Sequence, residues 1–94
     1  MALKTAPFDS AKYLTDNEAV AAYLSDMMEE GDASVLAAAL GNIARARGMA
    51  QIAHDAGIGR EALYNALRPG AQPRFDTISR VCSALGVRLV ALPV

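Results

Sequence analysis

A chain of 94 residues makes one small domain with a modest core and leaves no room for a separate catalytic domain beside it. It is 53% hydrophobic, largely through alanine, with five aromatic residues, one Cys and one His; that composition favours closely packed helices, excludes an internal disulfide and supplies too few ligands for a structural zinc site. The formal net charge of -1 hides a division, because residues 1–44 hold two lysines against seven acids while residues 45–94 hold seven arginines against three acids. A basic second half suits a polyanionic partner, although seven arginines can equally be a solvated surface, so their positions must decide. No apolar run reaches the length of a membrane span, and the N-terminal MALKTAPFDSAKYL has no signal-peptide core, so a cytoplasmic protein is expected.

Residues 1–16 carry no sustained period. Thr5, Pro7, Asp9 and Ser10 break the start, while Phe8, Tyr13 and Leu14 can anchor an extended arm with room for one turn of helix. Such an arm either clamps a partner or, more simply, covers apolar surface. The first helix is expected from Asp16 or Asn17, either of which can cap it, to Gly31, with Val20, Tyr23, Leu24, Met27 and Met28 on one apolar face. Asp32 or Ser34 caps the next, which carries Val35, Leu36, Ala39, Leu40 and Ile43 and stops near Gly48, so the two form a hairpin.

Residues 49–67, MAQIAHDAGIGREALYNAL, then read as a helix-turn-helix. Ile52, Ala53 and Ala56 face inward from the first short helix, Gly57 takes the turn, Ile58 fills the gap, and Leu63, Ala66 and Leu67 face inward from the second. Ala53 must be small for the second helix to cross over it, and Gly57 supplies a positive backbone angle. Gly57, Gly59 and Ala62 also fit the G-x-G-x-x-[GA] spacing of a dinucleotide-binding turn, but that turn needs a strand before it, and here a helical pattern precedes. Outward positions of the second helix are Arg60, Glu61, Tyr64, Asn65 and Arg68: Arg60 suits guanine, Glu61 cytosine or the holding of an arginine, Tyr64 a phosphate or a thymine methyl, Asn65 adenine and Arg68 a phosphate.

The small-residue, glycine and hydrophobic spacing of this stretch resembles the helix-turn-helix of phage-repressor-like, Xre-type regulators. More specifically FDSAKYL, the two helices ending in LGNIARARGM, REALYNAL and FDTISRVCSALGVRL together resemble the short antidote proteins of addiction modules, from Phe8 to Leu92. The resemblance implies a mainly α, five-helix, lambda-repressor-like domain of the Xre/HigA-like class. It further implies an antitoxin of a type II toxin-antitoxin module that binds double-stranded DNA at its own operator and neutralises a RelE-like or HigB-like toxin. Gln51, at the start of the first short helix, lies where phosphate contacts are common in that family. Gly59 departs from the Ser or Thr usual at its position and so lacks a capping hydroxyl.

His54 sits on the outer side of the first short helix, where a lone His is most simply a solvated residue. Arg68 to Arg74, RPGAQPR, is a loop whose two arginines are further candidates for phosphate contact. A last helix is expected from Asp76 or Thr77, with Ile78, Val81, Cys82 and Leu85 inward, Cys82 as a small buried hydrophobe, Arg80 outward and Gly86 as its end. The ending VRLVALPV is dense in Val and Leu and is expected to form a short β-strand over residues 87–92. An isolated strand needs a partner. The same strand of a second copy would give a homodimer presenting two recognition helices to a palindromic operator, with the toxin or the N-terminal arm as alternative partners.

Two function classes follow. One is a sequence-specific DNA-binding antitoxin; the other is a protein-interaction module, for toxin capture or dimeric scaffolding, whose helix-turn-helix does not read DNA. The acids between Asp16 and Glu30 suit a basic, RNA-cleaving partner, or simply form a solvated face. No nucleophile, base and acid grouping, metal cluster or phosphate loop is present, so no enzyme, cofactor or metal is expected.

Overall fold

The computed structural model describes residues 16–94, and the arm expected over residues 1–16 lies outside them except for Asp16. Among the described residues five helices follow one another: α1 (Asn17–Glu29), α2 (Ala33–Arg47), α3 (Met49–Ala56), α4 (Arg60–Leu67) and α5 (Phe75–Ala84). The chain is mainly α, as expected from its composition.

Of the two candidate caps for α1, Asp16 is the one used. Its backbone is extended, and its carboxylate accepts the N–H groups of Glu18 at 2.8 Å and Ala19 at 3.3 Å. A cap of this kind contributes about 1 kcal/mol. The Asn17 side chain is thereby left for a tertiary role: its Oδ1 accepts from Arg47 Nη2 at 2.9 Å. Arg47 Nη1 also reaches the Leu85 carbonyl at 3.4 Å, so one guanidinium at the end of α2 links the start of α1 to the end of α5. At α2 the cap is Asp32, which accepts from the Ser34 hydroxyl at 2.8 Å and the Ser34 N–H at 2.9 Å. Those two hydrogen bonds hold its carboxyl below the ordinary carboxylate range.

The centre of the fold is α2, which packs against α1, α3 and α4. A helix covered from three sides buries more than a stripe. Accordingly Ala37, Ala39, Leu40, Gly41, Ile43 and Ala44 are all buried, a wider arc than the single face expected, while Val35 and Leu36 are only half-buried. Around it Val20 and Leu24 of α1, Ile52 and Ala53 of α3, Leu63 and Leu67 of α4, and Ile78, Val81, Cys82 and Leu85 of the last segment complete one core. On α1 the expected apolar face is split, with Val20 and Leu24 buried, Tyr23 and Met27 half-buried, and Met28 43% exposed.

The last helix starts one residue before the expected Asp76 or Thr77. It begins at Phe75 after an extended Arg74, without a side-chain cap, and Asp76 instead serves its first turn as a negative charge near the positive end of the dipole. Its Cys82 is 1% exposed, and burial pushes the thiol up from 9.0 to about 11. The unfolded chain ionises this thiol above pH 9 while the folded chain keeps it protonated until about pH 11, so the unfolded state binds fewer protons there. The contribution is fully present below pH 9 and declines as pH rises toward 11; urea unfolding across that range should show the decline in wild type and a shallower one in Cys82→Ala.

The expected β-strand over residues 87–92 is not formed, and residues 85–94 contain neither helix nor strand. The reason lies in how α5 ends. Gly86, with φ 85°, donates its N–H to the Ser83 carbonyl, and Val87 donates its own to the Cys82 carbonyl at 3.0 Å. This Schellman closure engages the first N–H that a ladder would need. Beyond it no strand lies alongside among the described residues, and Val87 and Leu89 pack onto the core cluster as part of an irregular apolar tail. High β-propensity describes a surface fit rather than a backbone state, and without a second strand it yields none.

Candidate nucleic-acid interface

The unit built from α3 and α4 is defined by its turn. Gly57 has φ 70° and ψ 32°, the left-handed region, and donates its N–H to the His54 carbonyl at 3.2 Å. Ile58 donates to the Ala53 carbonyl at 3.0 Å, which closes α3 as a Schellman motif. Ile58 is half-buried against the core, and Ala53 is 3% exposed beneath it, so the small residue, the glycine and the aliphatic plug occupy the roles their spacing suggested. Gly59 takes the N-cap position of α4 with extended backbone and no side-chain hydrogen bond, in keeping with the missing hydroxyl.

Leu63 and Leu67 hold α4 to the core at 0% exposure, and Ala66 is half-buried. With 3.6 residues per turn, this inner row turns Arg60, Glu61, Tyr64, Asn65 and Arg68 toward solvent, and all five are exposed. Arg60, Glu61 and Tyr64 line one hollow of about 550 Å³, together with Met49 from α3 and Arg45 from α2. Asn65, Arg68 and Arg74 do not line it. Gln51 is exposed on α3, but its Nε2 donates to Asp55 Oδ1 at 2.9 Å, so that amide is already engaged. His54 is likewise solvent-facing, with Nδ1 3.3 Å from Asp55.

The arginines divide into groups that their sequence did not separate. Arg47 is committed to the Asn17 and Leu85 clamp. Arg80 pairs with Asp76 at 3.3 Å and approaches the Gly57 carbonyl at 3.5 Å, which ties α5 to the turn. Arg88 lies on the tail beside α1. Among the described residues, no hydrogen bond or ion pair holds the guanidinium of Arg60, Arg68 or Arg74, although the Arg68 and Arg74 carbonyls accept from the Ala71 and Ile78 N–H groups. Arg45 donates to Asn42, three residues before it, at 2.8 Å, and completes the hollow beside α4. Arg45 was missed in the sequence. Its signal was its place in the last turn of α2, two residues before Arg47, but only the crossing of α4 over α2 decides which of the two arginines reaches that face.

The candidate interface is therefore an exposed helix bearing cationic, amide and aromatic groups, with Arg45, Arg60 and Arg68 on or beside it and a partly apolar hollow at its start. Such a surface offers the donors that phosphates and base edges accept. Among the described residues no group of three or more His, Cys, Asp or Glu could hold a metal ion. No helix there is long and apolar enough to cross a membrane.

The family model described as "Probable addiction module antidote protein" matches residues 4–93. The chain is also 46% identical over 81 residues, 86% of its own length and 84% of the relative's, to an uncharacterized protein of Haemophilus influenzae. No solved structure matches. With nearly its whole length under the family model, the chain belongs to the probable addiction module antidote proteins.

Proposed function

We propose that this antidote is a DNA-binding antitoxin of the Xre/HigA-like helix-turn-helix class, which binds its own operator through α4 and neutralises a RelE-like or HigB-like toxin. The observation that carries the DNA-binding part is the exposed row Arg60, Glu61, Tyr64, Asn65 and Arg68 on a short helix anchored behind by Leu63 and Leu67. Arg60 is assigned to a guanine edge, Asn65 to adenine, Glu61 to cytosine or to orienting an arginine, and Tyr64 to a phosphate or thymine methyl. Arg68 and Arg74 are assigned to phosphates, with backbone or side-chain support from Gly59 and Gln51. A homodimer belongs to the proposal because one eight-residue helix buries little surface on a duplex, and two copies on a palindromic site add their contacts. Pairing through a C-terminal strand does not belong to it.

Gel-shift titration of the full chain on the DNA upstream of its own reading frame tests this. Arg60→Ala and Asn65→Ala should each weaken specific binding by about 5- to 150-fold, the equivalent of about 1–3 kcal/mol for a lost base contact. Arg68→Ala should weaken specific and non-specific DNA alike and reduce the salt slope by about one. Equal, salt-insensitive binding by all of these would favour the interaction module that does not read DNA.

A further inference from the structure

Between Asp16 and Ala44 the chain carries six acids, Asp16, Glu18, Asp26, Glu29, Glu30 and Asp32, and no Lys or Arg. All six are exposed. Two hollows open within this acidic region. One, of about 200 Å³, lies between α1 and the tail, with Met28 on the helix side and Leu89, Val90 and Leu92 on the other. The second, of about 230 Å³, runs from Met28 across Gly31 and Asp32 to Leu36. Met28 lines both, so the two hollows adjoin as one apolar groove system, and among the described residues Arg88 is the one cation lining it.

This groove is not an ordinary scatter of surface apolar atoms. Met28 is 43% exposed, Val90 65% and Leu92 81%, and they gather on one wall system instead of standing singly. Contiguous exposed apolar surface rimmed by charge is the usual form of a protein-binding site. The rim decides the occupant. Glu29 and Glu30 follow Met28 directly, and Asp32 itself lines the second hollow. DNA is repelled by such a rim. A second copy docking through the same face would set these acids against their own images, because a two-fold interface is self-complementary. A basic partner gains from every one of them.

We propose that this acid-rimmed groove is the docking surface for the toxin, and that the toxin meets it with an apolar side chain set among Lys or Arg residues. The proposal rests on the antidote function of the family and adds to it where on the chain the partner sits. None of the groove's residues lines the hollow beside α4, so toxin and DNA would engage different surfaces.

The test uses the full chain and, as probe, the product of the reading frame adjacent to its own, titrated by calorimetry. Met28→Lys with Val90→Lys should weaken binding about 100-fold, and Glu29→Lys with Glu30→Lys about 10-fold, the latter mainly through a slower association that high salt equalises. Gln72→Ala, an exposed loop position that lines none of these hollows, should leave this affinity unchanged. Because Met28 lies on a helix, the tail pair Val90→Lys with Leu92→Lys provides a variant that leaves α1 intact, and thermal melting verifies the fold of each. Binding by all three folded double variants within about twofold of wild type overturns the docking proposal alone. Sedimentation that shows the lysine pairs splitting a wild-type dimer while toxin affinity survives also overturns it, and makes the groove a self-interface. Absence of binding by the wild-type chain overturns the antidote pairing with this probe and the docking proposal with it.

Discussion

Replacing Leu63 with alanine is expected to lower the unfolding free energy by about 2–5 kcal/mol, a large part of what a domain of this size possesses. Leu63 is fully buried, and with Leu67 it is one of only two buried residues that α4 contributes. The helix has eight residues and no side-chain cap at its start. Helices shorter than about 12 residues are marginal in water, so α4 exists because its inner row is packed. Truncating half of that row leaves a cavity against α2 and α3 and weakens the element that presents Arg60 and Asn65. Urea titration should show the loss, and amide exchange should show it concentrated in residues 60–67. Tyr64→Ala, the next position but 56% exposed, should change stability by less than about 0.5 kcal/mol. A Leu63→Ala loss no larger than that of Tyr64→Ala would show that α4 is held by something other than its inner row.

The second large effect runs against helix propensity. Gly41 lies in the interior of α2, where exchange of glycine for alanine ordinarily stabilises by about 0.5–1 kcal/mol. Here a Cβ would stand 2.7 Å from the Leu67 carbonyl oxygen, closer than real Cβ atoms come, and 3.3 Å from Arg45 Nη1. The guanidinium can swing away. The carbonyl belongs to the backbone at the end of α4 and can yield only if that helix moves. Overpacking of this kind costs about 1–3 kcal/mol, which exceeds the propensity gain, so Gly41→Ala should be net destabilising. Gly57→Ala provides the contrast, since nothing lies within 4 Å of its Cβ position and only the positive φ is unfavourable, at about 1–2 kcal/mol. Asn at position 57 should recover part of that loss, because Asn visits the left-handed region; at 41 Asn should recover nothing, since any Cβ meets the same carbonyl. Chemical shifts should move around Leu67 in the first variant and stay local to the turn in the second.

The two glycines show what kind of information a sequence carries. Gly57 was legible because its demand is local: a helix of eight residues, a turn and a second helix fix the sign of one backbone angle, and Ala53 and Ile58 repeat the message at neighbouring positions. Gly41 was not legible, because its demand comes from Leu67, twenty-six residues later in the chain. The same distinction separates the caps, which the neighbouring residues narrowed to Asp16 or Asn17 and to Asp32 or Ser34, from the partnership of Asn17 and Arg47, which spans two helices.

In the candidate interface, helical periodicity determined the outward row from Arg60 to Arg68, and the inward row behind it. The involvement of Arg45, and the withdrawal of Arg47 and Arg80 into internal contacts, depended on how α2 and α5 lie against the turn. The tail shows the limit most clearly. Its Val and Leu residues have the composition of a strand, yet a strand is a relation between two segments, and composition reports on only one.

By itself, then, the sequence determined the five helices, most of their ends and the face α4 turns to solvent, because caps, glycine turns and a 3.6-residue period act over a few residues. Tertiary structure decided the rest: which arginines remain open, why a side chain at position 41 is unfavourable, that residues 87–92 form no strand, and that Met28, asked by periodicity to be core, instead joins the tail in an acid-rimmed groove. Each of these depends on contacts between segments far apart in the chain, whose distances no local pattern encodes.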